Sequence, residues 1–305
     1  MDITREPGQQ WIEALSVGYI ASNVLNEERS AKVVGVTSRG MFLRSSSRWT
    51  VFISGEPYRS PLTVTVRDDG GSLRDVRIGD IVDFGGNELI IVGADLAIRC
   101  GSEVIWRPQF PPHPASTKVE RLNRLALFVQ EVMERKMGAG LNPILSMFMD
   151  WRDHKGSSPE ASELLHAGII NAQVVLTAKE VNSLFEGLHN LLGMGQGLTP
   201  SGDDYIVGLL LSLNRWKDTL WPEDGLSDLN ERLVTSAFDR TTTLSANLIE
   251  CATCGQSDER LINAVDYLMC GGADEVERVV GDLLYWGNSS GVAAFCGIGT
   301  ALKNL

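Results

Sequence analysis

The segment Pro108-Gln-Phe-Pro-Pro-His-Pro114 constrains the fold more than any other stretch of this sequence. Proline fixes φ and offers no amide donor, so four prolines in seven residues continue neither a helix nor a sheet ladder. The hydrophobic period changes across it. Upstream lie short β-branched runs: Lys32 to Thr37, Met41 to Leu43, Trp49 to Ile53, Leu62 to Val66, Ile81 to Phe84, Leu89 to Val92 and Leu96 to Ile98. Gly, Pro, Asp and Asn separate them, as in Asp69-Gly-Gly71 and Gly85-Gly-Asn87. Such runs predict a small antiparallel β-barrel or sandwich of about six or seven strands. Before them, Trp11, Ile12, Leu15, Ile20, Val24 and Leu25 recur at spacings near three and four, which predicts an amphipathic helix from about Gln9 to Asn26.

Downstream of the prolines the period is helical over Lys118 to Lys136, Ser158 to Ala172, Ala178 to Leu192, Asp203 to Lys217, Ser227 to Thr253, Asp258 to Met269, Ala273 to Trp286 and Gly291 to Leu302. Short polar or glycine-containing joints between them predict a helical bundle. The expected class is α+β, with a β-rich domain over residues 1–110, opened by a helix, and an all-helical domain over 111–305. At 305 residues and 43% hydrophobic content, the chain can bury a core in each.

A formal net charge of -12 argues against a nucleic-acid partner, whose phosphates call for clustered Lys and Arg. No stretch approaches the roughly 20 apolar residues that span a bilayer. Met1 to Pro7 lacks the basic run and apolar core of an export signal. The expectation is a cytoplasmic chain with no membrane partner. Its five cysteines, Cys100, Cys251, Cys254, Cys270 and Cys296, are expected as free, mostly buried thiols.

The run Leu192-Gly-Met-Gly-Gln-Gly-Leu-Thr-Pro-Ser-Gly-Asp-Asp-Tyr-Ile206 stands between two predicted helices. Gly193, Gly195 and Gly197 permit φ > 0 and close backbone approach, the requirements of an anion-binding nest, and Gly202 follows. Thr199 and Ser201 offer hydroxyls, and Pro200 stiffens the loop between them. Asp203 and Asp204 then open a helix. One reading makes Ser201 or Asp203 its N-cap and leaves the carboxylates to complement the positive helix end. The other lets one carboxylate orient a donor-rich substrate or hold Mg²⁺ while the helix N-terminus and glycine amides face a phosphate or carboxylate. Apart from that Mg²⁺, no cofactor and no metal site is expected.

Two further clusters share this character. Trp286-Gly-Asn-Ser-Ser-Gly291 opens a helix with Asn288, Ser289, Ser290 and Gly291, where Ser289 or Ser290 serves as an N-cap or lines a site. Arg240-Thr-Thr-Thr-Leu-Ser-Ala-Asn247 places three threonines where helix formers are preferred, so the helix breaks there or Thr242 and Ser245 serve a site. Arg240 is either solvated or paired with a carboxylate or phosphate.

Gly195-Gln-Gly-Leu-Thr-Pro-Ser-Gly-Asp-Asp204 resembles the signature of the family that contains the H-type subunit of oxamate carbamoyltransferase. The Thr242 to Ser245 cluster and the Gly287 to Gly291 loop match further blocks of that family in the same order. Gly35-Val-Thr-Ser38 and Ser54-Gly-Glu-Pro57 to Pro61 match more weakly. The resemblance implies a role in allantoin breakdown and nitrogen metabolism, as one subunit of a complex that converts oxalurate and phosphate to oxamate and carbamoyl phosphate. It also implies other carbamoyltransferase subunits as partners, beside a small anionic substrate, phosphate and self-association. On this reading Thr199, Ser201, Asp203 and Asp204 carry the chemistry. Gly195, Gly197, Gly202, Arg240, Thr242, Ser245 and Asn288 to Gly291 bind the substrate. Asn288 and Ala293 stand where the family often has a histidine and an aspartate, which implies a related carbamoyl or ureido substrate. The alternative is a non-catalytic subunit that binds a small anion or serves as a scaffold.

Other chemistries fit less well. Cys251-Ala-Thr-Cys254 has half the ligands of a zinc site, and both residues are expected in the core. His113, His154, His166 and His189 form no metalloprotease pattern. Pro200-Ser-Gly202 lies between helices, unlike a hydrolase elbow between strand and helix.

Overall fold

The computed structural model describes residues 10–67, 71–100, 105–111, 114–136, 169–170, 172, 174–177, 179–222, 224–272 and 275–305. The chain divides into two compact units, Met1–Pro108 and Gln109–Leu305. The predicted helix from Ser158 to Ala172 falls almost wholly outside the described residues, as do His113, His154, His166 and the Asp69-Gly70 part of one predicted turn.

The first unit is a barrel. Its strands are β1 (Gln10–Gly18), β2 (Ser30–Thr37), β3 (Gly40–Arg44), β4 (Thr50–Ser54), β5 (Thr63–Val66), β6 (Ile81–Gly85), β7 (Glu88–Ile91) and β8 (Leu96–Arg99), with a short β9 (Ile105–Trp106) beside β1. They run in the order β5-β4-β3-β2-β6-β7-β8-β1, and β1 returns to β5, so eight strands close the sheet and leave no free edge between them. Val33, Met41, Ile53, Val64, Val82, Ile91 and Ile98 fill the interior, each fully or almost fully buried.

Two expectations are corrected here. The opening helix is only α1 (Tyr19–Glu27), while Gln10–Gly18 is strand β1. Alternation along β1 puts Ile12, Ala14 and Ser16 inside and Glu13 and Leu15 outside, with Leu15 44% exposed. Small inward residues and a large outward leucine hide the period of two that marks a strand. The sheet is also not wholly antiparallel, since β1 pairs parallel with β8 and β9, and β4 with β5. Residues Gln10 to Glu13 of β1 pair with β8, and a bulge between Ala14 and Ser16 shifts the register where β1 pairs with β5.

The second unit is helical: α2 (Lys118–Lys136), α3 (Val181–His189), α4 (Ser201–Arg215), α5 (Lys217–Leu220), α6 (Leu226–Arg240), α7 (Thr243–Thr253), α8 (Glu259–Cys270), α9 (Val276–Leu284) and α10 (Ser290–Asn304). Every residue from Gly202 to Leu213 in α4 and from Gly291 to Leu302 in α10 is buried, the mark of helices covered on all sides. These two pack backbone against backbone. A Cβ on Gly208 would lie 2.0 Å from the Ala294 carbonyl oxygen, and one on Gly297 would lie 2.0 Å from that of Tyr205. Phe128 of α2 stacks on Phe295 with centroids 4.9 Å apart. At the far end of α4, Arg215 forms a two-pronged pair with Asp266 at 2.7 and 2.6 Å, and Trp216 donates to the same carboxylate. Among the described residues no helix is long and apolar enough to cross a membrane.

The predicted Ser227 to Thr253 helix is two helices. Thr241 (φ -133°) and Thr242 (φ -67°) are extended, and the Thr242 hydroxyl caps α7 by accepting the Ser245 amide at 3.1 Å. All five cysteines are free: Cys251 and Cys296 are buried and Cys100 and Cys270 half-buried. Cys254 is exposed, against the expectation of a core residue, because it lies past the last turn of α7.

Candidate functional site

Pro200 precedes α4 in an extended conformation (φ -54°, ψ 146°), and no side chain caps the helix. Ser201 and Asp203 are therefore not N-cap side chains. The helix is closed instead by the backbone: the amides of Asp203 and Asp204 donate to the Pro200 carbonyl, and that of Gly202 to Met194 at 2.8 Å. The two carboxylates are thereby free to turn inward, and each residue is only 1% exposed.

Asp203 is fully engaged. One oxygen accepts the Gly193 amide at 2.8 Å, and the other accepts a short hydrogen bond from the Thr241 hydroxyl. Burial raises its pKa, while the bonds from Gly193 and Thr241 and the nearby Ser245 hydroxyl pull it back down. Gly193 has φ +75°, and a Cβ there would lie 2.6 Å from the Arg240 carbonyl oxygen, so only glycine brings this amide to the carboxylate.

Asp204 differs. Both its oxygens are buried without a hydrogen bond of ordinary geometry. Burial is the largest influence and pushes its pKa up to about 8. The Ser290 and Thr199 hydroxyls lie near enough to lower it and the Asp203 charge raises it further. Adjacent carboxylates at a helix start thus have separate environments, one hydrogen-bonded and one not.

Three loops meet at these carboxylates. Thr199 and Ser290 share a hydroxyl hydrogen bond of 3.2 Å, joining the signature loop to the start of α10. The Thr242 hydroxyl donates to the Leu198 carbonyl at 2.7 Å, and Thr241 reaches Asp203, joining the same loop to the α6–α7 joint. Predicted residues Thr199, Asp203, Asp204, Thr242, Ser245 and Ser290 are brought together. Ser289 precedes α10 without a capping side-chain bond, so Ser290 bonds Thr199 where a cap was an expected role.

The remaining candidates divide by exposure. Gly195 (φ +123°) and Gly197 (φ +96°) form an exposed arch. Among the described residues, the amides of Gly195, Gln196 and Gly197 find no protein acceptor. Asn288, Ser289 and Arg240 are exposed and Ser201 half-buried. Gly202 and Gly291 are buried, and a Cβ on either would collide with a backbone carbonyl, that of Leu191 at 2.2 Å or Leu283 at 2.0 Å. Their role is close packing behind the site.

The donor set is a poor match for Mg²⁺. Among the described residues no group of three His, Cys, Asp or Glu side chains is placed to hold a metal. The Gly193 amide and the Thr241 hydroxyl already take one site on each oxygen of Asp203.

Sequence reasoning missed the Gly208 and Gly297 contacts that hold α4 against α10. Small residues spaced along two largely apolar helices are their one trace. It also missed a cleft of about 370 Å³ in the barrel unit, beside α1, lined in part by Ser22, Asn26, Arg29, Asn87 and Glu88. None of the predicted site residues lines it.

No curated protein and no solved structure matches the chain. The stretch from Leu191 to Leu302, which carries all three loops, matches the family described as oxamate carbamoyltransferase subunit AllH, and so bears out the resemblance in the C-terminal part of the chain.

Proposed function

We propose that the junction of the three loops is the ligand site of a carbamoyl-transferring subunit. Its reaction is oxalurate plus phosphate to oxamate plus carbamoyl phosphate, or the same transfer on a related ureido compound. The observation that carries this reading is the pair of cross-links, Thr199 to Ser290 and Thr242 to Leu198, which hold three separate family blocks around one pair of buried carboxylates. In such a transfer a phosphate oxygen attacks the carbamoyl carbon, the carbon–nitrogen bond to the oxamate nitrogen breaks, and that nitrogen takes up the proton that hydrogen phosphate gives up. The chain has to hold two anions and stabilise negative charge on the carbamoyl oxygen. Unbonded amides from Gly195 to Gly197 supply donors for one anion, and the Thr199 and Ser290 hydroxyls stand beside them. Arg240, whose backbone carbonyl lies against Gly193, is the candidate for a positive charge. The partner subunits that a subunit name implies complete the enzyme.

The test mixes the purified chain with the partner subunits and measures carbamoyl phosphate formed from oxalurate. Activity that requires this chain and falls at least about 100-fold in Asp204→Ala supports the reading. Full activity in Asp203→Ala and Asp204→Ala together overturns it. Binding of oxamate by a complex that never turns over makes this a non-catalytic binding subunit.

A further inference from the structure

Asp203 and Asp204 are neighbours in sequence with opposite surroundings. Each oxygen of Asp203 accepts one protein donor, so it holds the Gly193 turn and the α6–α7 joint in place. Asp204 is as deeply buried, yet neither oxygen has a well-formed hydrogen bond. A buried polar group left this way is costly unless it is completed by something else. The two groups nearest it are hydroxyls, Thr199 from the exposed signature arch and Ser290 from the start of α10, and these bond to each other. Asp203, on its own helix, is the charge that acts on it.

We propose that Asp204 completes its hydrogen bonding with a ligand, as a carboxylic acid whose O–H is donated to an acceptor oxygen held beside Thr199 and Ser290. This rests on the junction being the ligand site and adds the substrate class: a compound that presents an uncharged or developing-negative carbonyl oxygen to Asp204. Two ionised carboxylates side by side would repel an anionic substrate, whereas one neutral acid beside one hydrogen-bonded carboxylate leaves a donor where charge develops. The raised pKa of Asp204 agrees with a proton resident at neutral pH. Pairs of acids whose environments drive their pKa values apart divide labour in this way.

The experiment is calorimetric titration of the full chain with oxamate from pH 6 to pH 9.5, for the wild type, Asp204→Asn and Asp203→Asn. Oxamate keeps one charge state across this range, so a pH dependence belongs to the protein. The expected wild-type affinity is constant below about pH 8 and falls about tenfold per pH unit above it. Asp204→Asn, whose amide still donates but cannot ionise, is expected to bind with a flat profile. Asp203→Asn is expected to bind weakly while keeping the alkaline loss. A flat wild-type profile overturns the proposal but leaves the junction as a ligand site. Binding of oxamate by neither the wild type nor the variants at any pH overturns both. A flat wild-type profile overturns the proposal even if a variant fails to fold, and an alkaline loss that Asp204→Asn keeps overturns it as well.

Discussion

The barrel and the helical unit bury polar groups in different ways. Inside the barrel the buried polar residues are mainly hydroxyls that close local turns: Ser54 accepts the Glu56 amide, Ser60 accepts the Leu62 amide, and Thr65 donates to Tyr58. Glu56, the acid among them, is paired with Arg39 at 3.1 Å. In the helical unit two adjacent carboxylates are buried under a glycine loop, and one of them lacks good partners. The difference teaches where to look for function. A satisfied buried hydroxyl is explained by the turn it stiffens, whereas a buried acid left short of donors calls for a ligand.

Substitutions can break this contrast, and the largest effect is expected at the backbone contact behind the site. Gly208→Leu should cost more than about 3 kcal/mol and abolish the cooperative unfolding of the helical unit, because nothing beyond a hydrogen fits against Ala294. Circular dichroism should then show lost helix with strand signal retained.

Asp204 should give the next effect, with a sign set by its raised pKa. An acid whose folded pKa lies above its unfolded value contributes fully below the unfolded value, near 4, and that contribution is lost as pH rises through about 8. Asp204→Asn should therefore melt close to the wild type at pH 5 and several degrees above it at pH 9, as measured by scanning calorimetry at both values. A constant difference across that range would place Asp204 with the ordinary buried groups of the barrel.

Thr241→Val should cost about 2 kcal/mol, the usual worth of a hydrogen bond to a charged acceptor, and loosen the α6–α7 joint. Urea unfolding and amide exchange at Gly193 would report it. Ser54→Ala in the barrel should cost only about 1 kcal/mol and leave oxamate binding unchanged.

Much of both regions was legible in the sequence. Strands β2 to β8 announce themselves as β-branched runs bounded by turn residues, and α2 has the predicted bounds Lys118 to Lys136. The threonine run marked the break between α6 and α7 because three β-branched residues disfavour helix at one place. Strand β1 was hidden, since its inward face uses Ala14 and Ser16 and its largest aliphatic, Leu15, faces out. The glycine loop was visible as backbone freedom, but the use of that freedom was not. Spacing suggested caps for Ser201 and Asp203, whereas the Pro200 carbonyl closes the helix and releases both acids to the interior. Which of two identical side chains is satisfied depends on Gly193 and Thr241, residues 10 and 38 positions away from Asp203, and no local pattern records it.

The closure of the barrel has a consequence for the order in which the chain acquires structure. Glu13 on β1 faces Arg99 on β8, 86 positions later, at 3.4 Å. β1 can find β8 only once nearly the whole unit has been made, so the seam depends on a large loop closure and is a late event. Until then β1 and β8 are two unpaired strand edges, the form in which a chain is open to pairing with another molecule. Downstream, α4 and α10 close over a comparable distance, since Thr199 and Ser290 stand 91 positions apart.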